Sequence, residues 1–211
     1  MGGADDDEGN SIAVDASGHI YTTGNFESTA DFDPGASVQN LTSSGNSDIF
    51  ISKLNTSGEF VWAKHMSGAY DDKGNSIALD AAGNIYTTGS FIDTVDFDPG
   101  VGVQNLRSNG NIDIFVSKLD ANGNFVWAKN LGASGDDVAH TIVVDVLGNI
   151  YTTGGFRYTV DFDTGIDIHN LTASGIVTDV FVSKFKVTNC TPTTSSFSVI
   201  ECVSYTVPSG D

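Results

Sequence analysis

Cysteine, proline and basic side chains are all scarce in this chain. There are two cysteines, Cys190 and Cys202, both near the C-terminal end. They do not form the Cys-x-x-Cys pair that zinc ribbons and thiol redox centres need, so those classes are excluded. Only one disulfide connectivity exists, and closing it requires an oxidising compartment. The alternative is two unpaired thiols. With only four prolines, turns must be made by the 24 glycines and by Asn, Asp, Ser and Thr. Nine Lys and Arg stand against 27 Asp and Glu, a formal net charge of −18. Phosphate backbones and anionic lipid surfaces are repelled by such a chain, which excludes nucleic acid and membrane surfaces as natural partners. Cations are the fitting counter-charge. No apolar run approaches the roughly 18 to 20 residues of a membrane-spanning helix, so no membrane insertion is expected. Catalytic signatures are missing too. There is no Gly-x-Ser-x-Gly, no His-Glu-x-x-His and no phosphate loop.

What the chain does have is repetition. The stretch SIALDAAGNIYTTGSF at residues 76–91 recurs as SIAVDASGHIYTTGNF at 11–26 and as TIVVDVLGNIYTTGGF at 141–156. Asp15, Asp80 and Asp145 are thus 65 residues apart. Self-similarity at a fixed period is the mark of an array of like supersecondary units. Within the unit, an apolar strand is followed by an Asp-x-x-Gly turn and a strand rich in β-branched and aromatic residues. Asp15, Asp80 and Asp145 accept backbone N–H bonds in that turn, and Gly18, Gly83 and Gly148 take the positive φ that closes it. The same grammar returns at residues 113–131, as DIFVSKL, DANGN and FVWAKNL. Each unit therefore reads as four antiparallel strands in two hairpins.

Adjacent apolar residues such as Phe115-Val116 and Phe125-Val126-Trp127 mean that both sheet faces are covered. Four-stranded sheets, covered on both faces and repeated in sequence, are blades of a β-propeller. The fold class expected is all-β: a partial β-propeller of three four-stranded blades. In blade one the four strands fall at 11–15, 20–26, 48–54 and 60–64. The blades occupy about 1–65, 66–130 and 131–187, and 188–211 begins a different, Ser/Thr-rich segment. In blade three the second turn and the Trp strand are missing from the pattern. Trp62 and Trp127 share one blade position and are expected to pack in the core, with sugar stacking as the lesser reading. Met1 to Asn10 align with Met66 to Asn75, so the repeat register already runs at the first residue. Either further blades precede it in a longer protein, or a second chain completes the ring.

Acidic residues gather in the connections of one rim. Asp71, Asp72, Asp136 and Asp137 sit between blades, and Asp31 with Asp33, Asp96 with Asp98, and Asp161 with Asp163 sit in the long segment between the second and third strands. Asp-x-Asp near backbone carbonyls supplies oxygen ligands to Ca²⁺, which makes these ten residues candidate calcium ligands. The competing reading is that Asp is simply a turn former, Asp-Pro-Gly being a turn signal at 33–35 and 98–100. The long segment itself is expected to fold as a flap, TVDF pairing with VQNL, with Val95 and Phe97 turned inward. Flaps along one rim would make a binding surface for protein or polysaccharide, or would merely cover blade edges. His19, His65 and His140 have Asn at the corresponding position of another repeat, a pattern of turn substitution rather than of a converging site.

These segments resemble the bacterial β-propeller repeat called SBBP. The likeness lies in D-x-x-G-N-hydrophobic-Tyr, then D-[IA]-F-V-[SA]-K-L-D, then G-N-x-x-W, and covers about residues 1–187. The resemblance implies an exported, non-catalytic scaffold or recognition module of a bacterial surface protein. A carbohydrate-active enzyme built on a propeller is the alternative.

Overall fold

The computed structural model describes residues 1–163, 168–175, 177–187 and the strand at 202–204. Seventeen strands and no helix appear among them. Blade one contains β1 (Gly2–Gly3), β2 (Asp7–Val14), β3 (Ile20–Asp31), β4 (Asn40–Leu54) and β5 (Phe60–Gly68). Blade two contains β6 (Lys73–Leu79), β7 (Ile85–Phe91), β8 (Thr94–Asp96), β9 (Asn105–Arg107), β10 (Asp113–Leu119) and β11 (Phe125–Leu131). Blade three contains β12 (Val138–Val144), β13 (Asn149–Phe156), β14 (Thr159–Asp161), β15 (Asn170–Thr172) and β16 (Asp179–Val187), and the short β17 (Cys202–Ser204) joins its sheet.

Each blade is an antiparallel meander. In blade two the order is β6-β7-β10-β11, with Ile77 opposite Thr87, Thr88 opposite Val116 and Lys118 opposite Trp127. Blade one repeats it as β2-β3-β4-β5, and blade three as β12-β13-β16. Beyond β16, residues Cys202–Ser204 pair with Phe185, Lys186 and Val187 through their backbones. The Cys190–Cys202 pairing considered above falls outside the described residues. The all-β partial propeller of three blades is the architecture observed.

Two local devices make the blades alike. Gly18, Gly83 and Gly148 all have φ between +75° and +89°, at the end of turns in which the glycine N–H donates to the carbonyl of Asp15, Asp80 or Asp145. The innermost strand carries a bulge at the same point in every blade, between Gly9 and Ser11, Gly74 and Ser76, and Ala139 and Thr141. The bulge presses its backbone onto the Thr-Thr-Gly strand. A Cβ on Gly24, Gly89 or Gly154 would collide with the carbonyl of Glu8, Lys73 or Val138, which is why that glycine recurs.

The bulged residue is also what joins blades. Asn10 Nδ2 donates to Gly74 O at 3.1 Å, and Asn75 Nδ2 donates to Ala139 O at 2.8 Å. One residue on, the Ile77 N–H reaches Ser11 Oγ at 3.3 Å and the Ile142 N–H reaches Ser76 Oγ at 3.2 Å. Apolar packing follows the same step. Tyr21, Ile49, Ile51 and Met66 of blade one bury against Ile77, Phe91, Phe97 and Phe115 of blade two. Tyr86, Ile114, Val116 and Leu131 of blade two bury against Ile142, Phe156, Phe162 and Phe181 of blade three. Blades thus stack side by side in one direction, each using one face for each neighbour.

Candidate functional site

The long segment between the second and third strands folds as the expected flap. In blade two, Thr94 lies opposite Arg107, Val95 opposite Leu106 and Asp96 opposite Asn105. Blade three repeats this pairing, and in blade one the flap is continuous with β3 and β4. A left-handed residue hinges each flap: Ser28, Asp93 and Tyr158, with φ of 54°, 58° and 61°. Each flap is pinned to its blade by three phenylalanines. Phe97 stands 5.4 Å from Phe91 and 5.0 Å from Phe115 between ring centroids. Phe32 does the same with Phe26 and Phe50, and Phe162 with Phe156 and Phe181. Val95 and Phe97 are fully buried, so the inner face of the flap is a fixed part of the fold, while its tip and outer face (Thr94, Asn105 and Arg107) meet solvent.

The acidic residues of this rim divide by role. Asp31, Asp96 and Asp161 cap the flaps from inside. Asp96 Oδ1 accepts the N–H groups of Asp98 and Gln104 at 3.0 and 2.7 Å. Asp31 takes those of Asp33 and Gln39, and Asp161 those of Asp163 and His169. These bonds hold the Asp31 carboxyl below its ordinary value. Asp33 and Asp98 in turn accept from Gly35 and Gly100, and Asp163 contacts the His169 ring at 3.2 Å. Each works as a turn former whether or not a cation joins it. No group of three or more Asp, Glu, His or Cys placed to hold a metal occurs among the described residues.

Asp71, Asp72, Asp136 and Asp137 stand at the blade junctions. Short parallel bridges, Ser47 with Asp71 and Ile112 with Asp136, tie the end of one flap segment to the start of the next blade. Asp71 accepts from Ser47 Oγ, and Asp136 pairs with Arg157 at 3.1 Å. Asp72 and Asp137 turn inward and are completely buried. Each sits near a second buried carboxyl that sequence reasoning missed: Asp48 beside Asp72, and Asp113 beside Asp137. Asp48, Asp113 and Asp179 are the aspartates that open the Asp-Ile/Val-Phe strand. Their recurrence was the available signal, yet an Asp before a strand ordinarily reads as a turn.

The N–H at one repeat position serves a different carboxyl of the pair at each junction. At the first junction Gly68 donates to Asp48, and at the second Ala133 donates to Asp137. Asp72 Oδ2 and Asp113 Oδ1 are left without a hydrogen-bond partner among the described residues. Burial pushes all four carboxyls up, Asp72 to about 8 with the charges of Asp48 and Asp71 adding to the effect. Backbone donors oppose the rise at each: Ser44 and Gly68, Ile92, Asn109, and Ala133 with Arg157. With its value pushed up to about 8, the Asp72 carboxyl keeps its proton at neutral pH, which removes one of two charges buried side by side.

The opposite rim carries the Asp-x-x-Gly turns, and here the carboxyls go the other way. Burial would raise Asp80, but Asn84, Tyr86 and the N–H of Ala82 outweigh it and hold the carboxyl down. Asn149 leads a similar set that takes Asp145 to about 2, and at Asp15 burial is again outweighed, by the bonds from His19 and Ser17, so that carboxyl too is held down. The tyrosine that bonds the turn Asp is roofed by a lysine of the third strand. Lys53, Lys118 and Lys184 lie 4.8, 4.9 and 5.2 Å above Tyr21, Tyr86 and Tyr151. Trp62 and Trp127 meet Tyr21 and Tyr86 edge-on at 6.3 Å, and Trp127 is buried. Asp, Tyr, Lys and Trp of the repeated motif therefore form one structural unit, with a stacked cation–π pair at its centre.

Three inward-bonded flaps and a repeated blade junction define a repeat scaffold of β-propeller type. Comparison with known proteins agrees. Residues 62–90 and 126–154 each match the family model described as SBBP, Beta-propeller repeat. Both matches run from the Trp strand of one blade to the Thr-Thr-Gly strand of the next. Among curated proteins, the chain is 26% identical over 216 residues to "Uncharacterized WD repeat-containing protein L264" of Acanthamoeba polyphaga mimivirus, over 88% of this chain and 15% of that protein. It is 22% identical over 152 residues to "Regulatory protein FlaEY" of Caulobacter vibrioides, over 72% of this chain and 16% of that protein. The matched region is thus a small part of either relative.

Proposed function

We propose that the chain is a non-catalytic recognition scaffold that binds a protein ligand along the row of flap tips. One observation carries this reading. Val38, Val103 and Ile168 occupy the same position in the three flaps and are 64%, 73% and 72% exposed. Nothing in the packing of a blade asks for a β-branched apolar residue there, and a repeated apolar row on one rim suits a partner surface. The anchoring phenylalanines keep the row in place, so binding would not have to order the flaps first. The name of the first relative, a WD repeat protein, and the family likeness point the same way. An exported role at a bacterial surface is part of the same proposal, and the high negative charge supports it.

The test is selection of displayed peptides on the intact protein, followed by calorimetry against a variant carrying Val38→Ser, Val103→Ser and Ile168→Ser. Selected peptides are expected to lose at least about tenfold in affinity, roughly 1.4 kcal/mol, while the circular dichroism of the variant is unchanged. Peptides that bind both proteins equally would remove the flap row as the site.

A further inference from the structure

At the root of the second flap two buried acceptors face each other with no donor between them. Asp113 is completely buried, and its Oδ1 has no hydrogen-bond partner among the described residues. The Oδ1 of Asn130 is buried and unpartnered as well. Strand register brings the two together. Asn130 lies opposite Phe115 in the β10–β11 pair, and Asp113 stands two residues before Phe115. Both side chains therefore leave the same face of the sheet as diagonal neighbours, within hydrogen-bonding reach. Gly132 makes the room, since a Cβ there would collide with the Asp113 carboxyl.

Turning the amide over does not cure the mismatch. Asn130 Nδ2 donates to the Arg107 carbonyl at 2.8 Å. With the amide reversed, a donor would face Asp113 and pull its carboxyl down, but Oδ1 would then meet the Arg107 carbonyl, acceptor against acceptor. A hydrogen on Asp113 Oδ1 satisfies all three groups at once. The other carboxyl oxygen already accepts the Asn109 N–H at 2.8 Å. Burial pushes the Asp113 carboxyl up and the charge of Asp137 adds to the rise, against the N–H groups of Asn109 and Gly110. The remaining charged groups around it are paired among themselves: Asp136 with Arg157 beside Asp137, and Asp93 with Arg107 at the flap hinge.

We propose that Asp113 is a neutral acid whose O–H donates to Asn130 Oδ1, and that this one proton fastens the root of the second flap. Arg107 closes β9 and Asn109 follows it, so the Asp113–Asn130 pair holds the chain where the flap rejoins its blade. When the proton leaves, a carboxylate faces the amide oxygen in a dry site. The amide then turns Nδ2 to the charge, and the Arg107 carbonyl loses its donor. The flap that carries Val103 is thus fixed at lower pH and looser at higher pH. Blade one is built differently. His65 stands in the place of Asn130, 3.9 Å from Asp48, whose two oxygens accept the N–H groups of Ser44 and Gly68. As a control on ligand binding the device rests on the flap-row reading, but the proton and the amide are measured with no ligand present, so the two fail separately.

NMR of the intact protein between pH 5 and pH 10 tests it, following the Asp113 carboxyl carbon, the Asn130 side-chain amide and the backbone amides of Ser108 and Asn109. Asp113 is expected to be protonated at pH 6 and to titrate above that, with the Asn130 and Asn109 signals moving at the same midpoint. Asn130→Ala removes the acceptor of the O–H, and the Asp113 midpoint should fall by about one pH unit, the worth of one hydrogen bond to the neutral form. Asp113→Asn keeps an acceptor for Asn109 and an N–H for Asn130, and should leave the Ser108 and Asn109 amides insensitive to pH. An ionised Asp113 at pH 6 would overturn the proposal. So would an Asn130 signal indifferent to the Asp113 titration, or a midpoint that rises or stays in Asn130→Ala, the sign of an amide acting as donor. The wild-type titration decides by itself should that variant not fold.

Discussion

Replacing Asp72 with Asn should make the protein more tolerant of neutral and alkaline pH. In the native protein the Asp72 carboxyl is completely buried, holds one backbone donor (Ile92 N–H, 3.0 Å) and faces Asp48. Its folded value is raised from 3.8 to about 8. A raised carboxyl binds its proton more tightly folded than unfolded. Its contribution is therefore fully present below about pH 3.8 and is lost as pH rises through that window toward 8. Within the window the slope is about 1.4 kcal/mol per pH unit for a single group, so pH 5 to pH 7 removes about 3 kcal/mol. Asn keeps the oxygen that accepts from Ile92, carries no charge, and offers N–H donors toward Asp48. Urea denaturation at pH 5, 6, 7 and 8 measures both proteins. The wild type should lose stability steadily across the series, and Asp72→Asn should lose about 3 kcal/mol less between pH 5 and 7. Asp48, Asp113 and Asp137 keep the same sign of slope in both, since burial raises them as well. Parallel curves for the two proteins would refute the assignment of a buried, protonated acid at this junction.

Three further outcomes follow from the packing. Trp127→Ala should cost about 3 to 5 kcal/mol by urea denaturation, the usual range for an emptied aromatic site, and Trp62→Ala less, because that ring is only half-buried. Phe97→Ala removes the central ring of the flap anchor, and amide exchange of residues 94–107 should rise well before that of β7 or β10. Asp80→Ala deletes the acceptor of the Ala82, Asn84 and Tyr86 bonds and should cost about 1 to 3 kcal/mol at neutral pH. The deficit should shrink below pH 3.8, where protonation weakens those bonds in the wild type too; Asp80 is held down, so its contribution is present above that value and lost as pH falls.

The fixed 65-residue spacing made much of the fold readable in advance. Asp80 and Gly83 announce a turn by themselves, and the Val95–Phe97 alternation announces a flap with an inner face. Asp48 and Asp113 announce nothing comparable. Whether a carboxyl at a strand entrance is wet or dry depends on the blade that leans over it, and that neighbour is far away in the chain. The bulge at Asn10 and Asn75 was hidden for a related reason. One extra residue in a strand leaves no mark in the apolar pattern, and its purpose appears only when the amide is seen reaching Gly74 or Ala139. The continuous flap of blade one is likewise decided by a local kink at Glu27 and Thr29 that composition does not express.

Because every blade is bonded only to the one beside it, loss of order in this protein passes through the blade junctions. Blade two is held by a neighbour on each face, so freeing it requires both junctions to open. The last amides to exchange with solvent should be those shared by Thr87, Thr88, Val116 and Ser117.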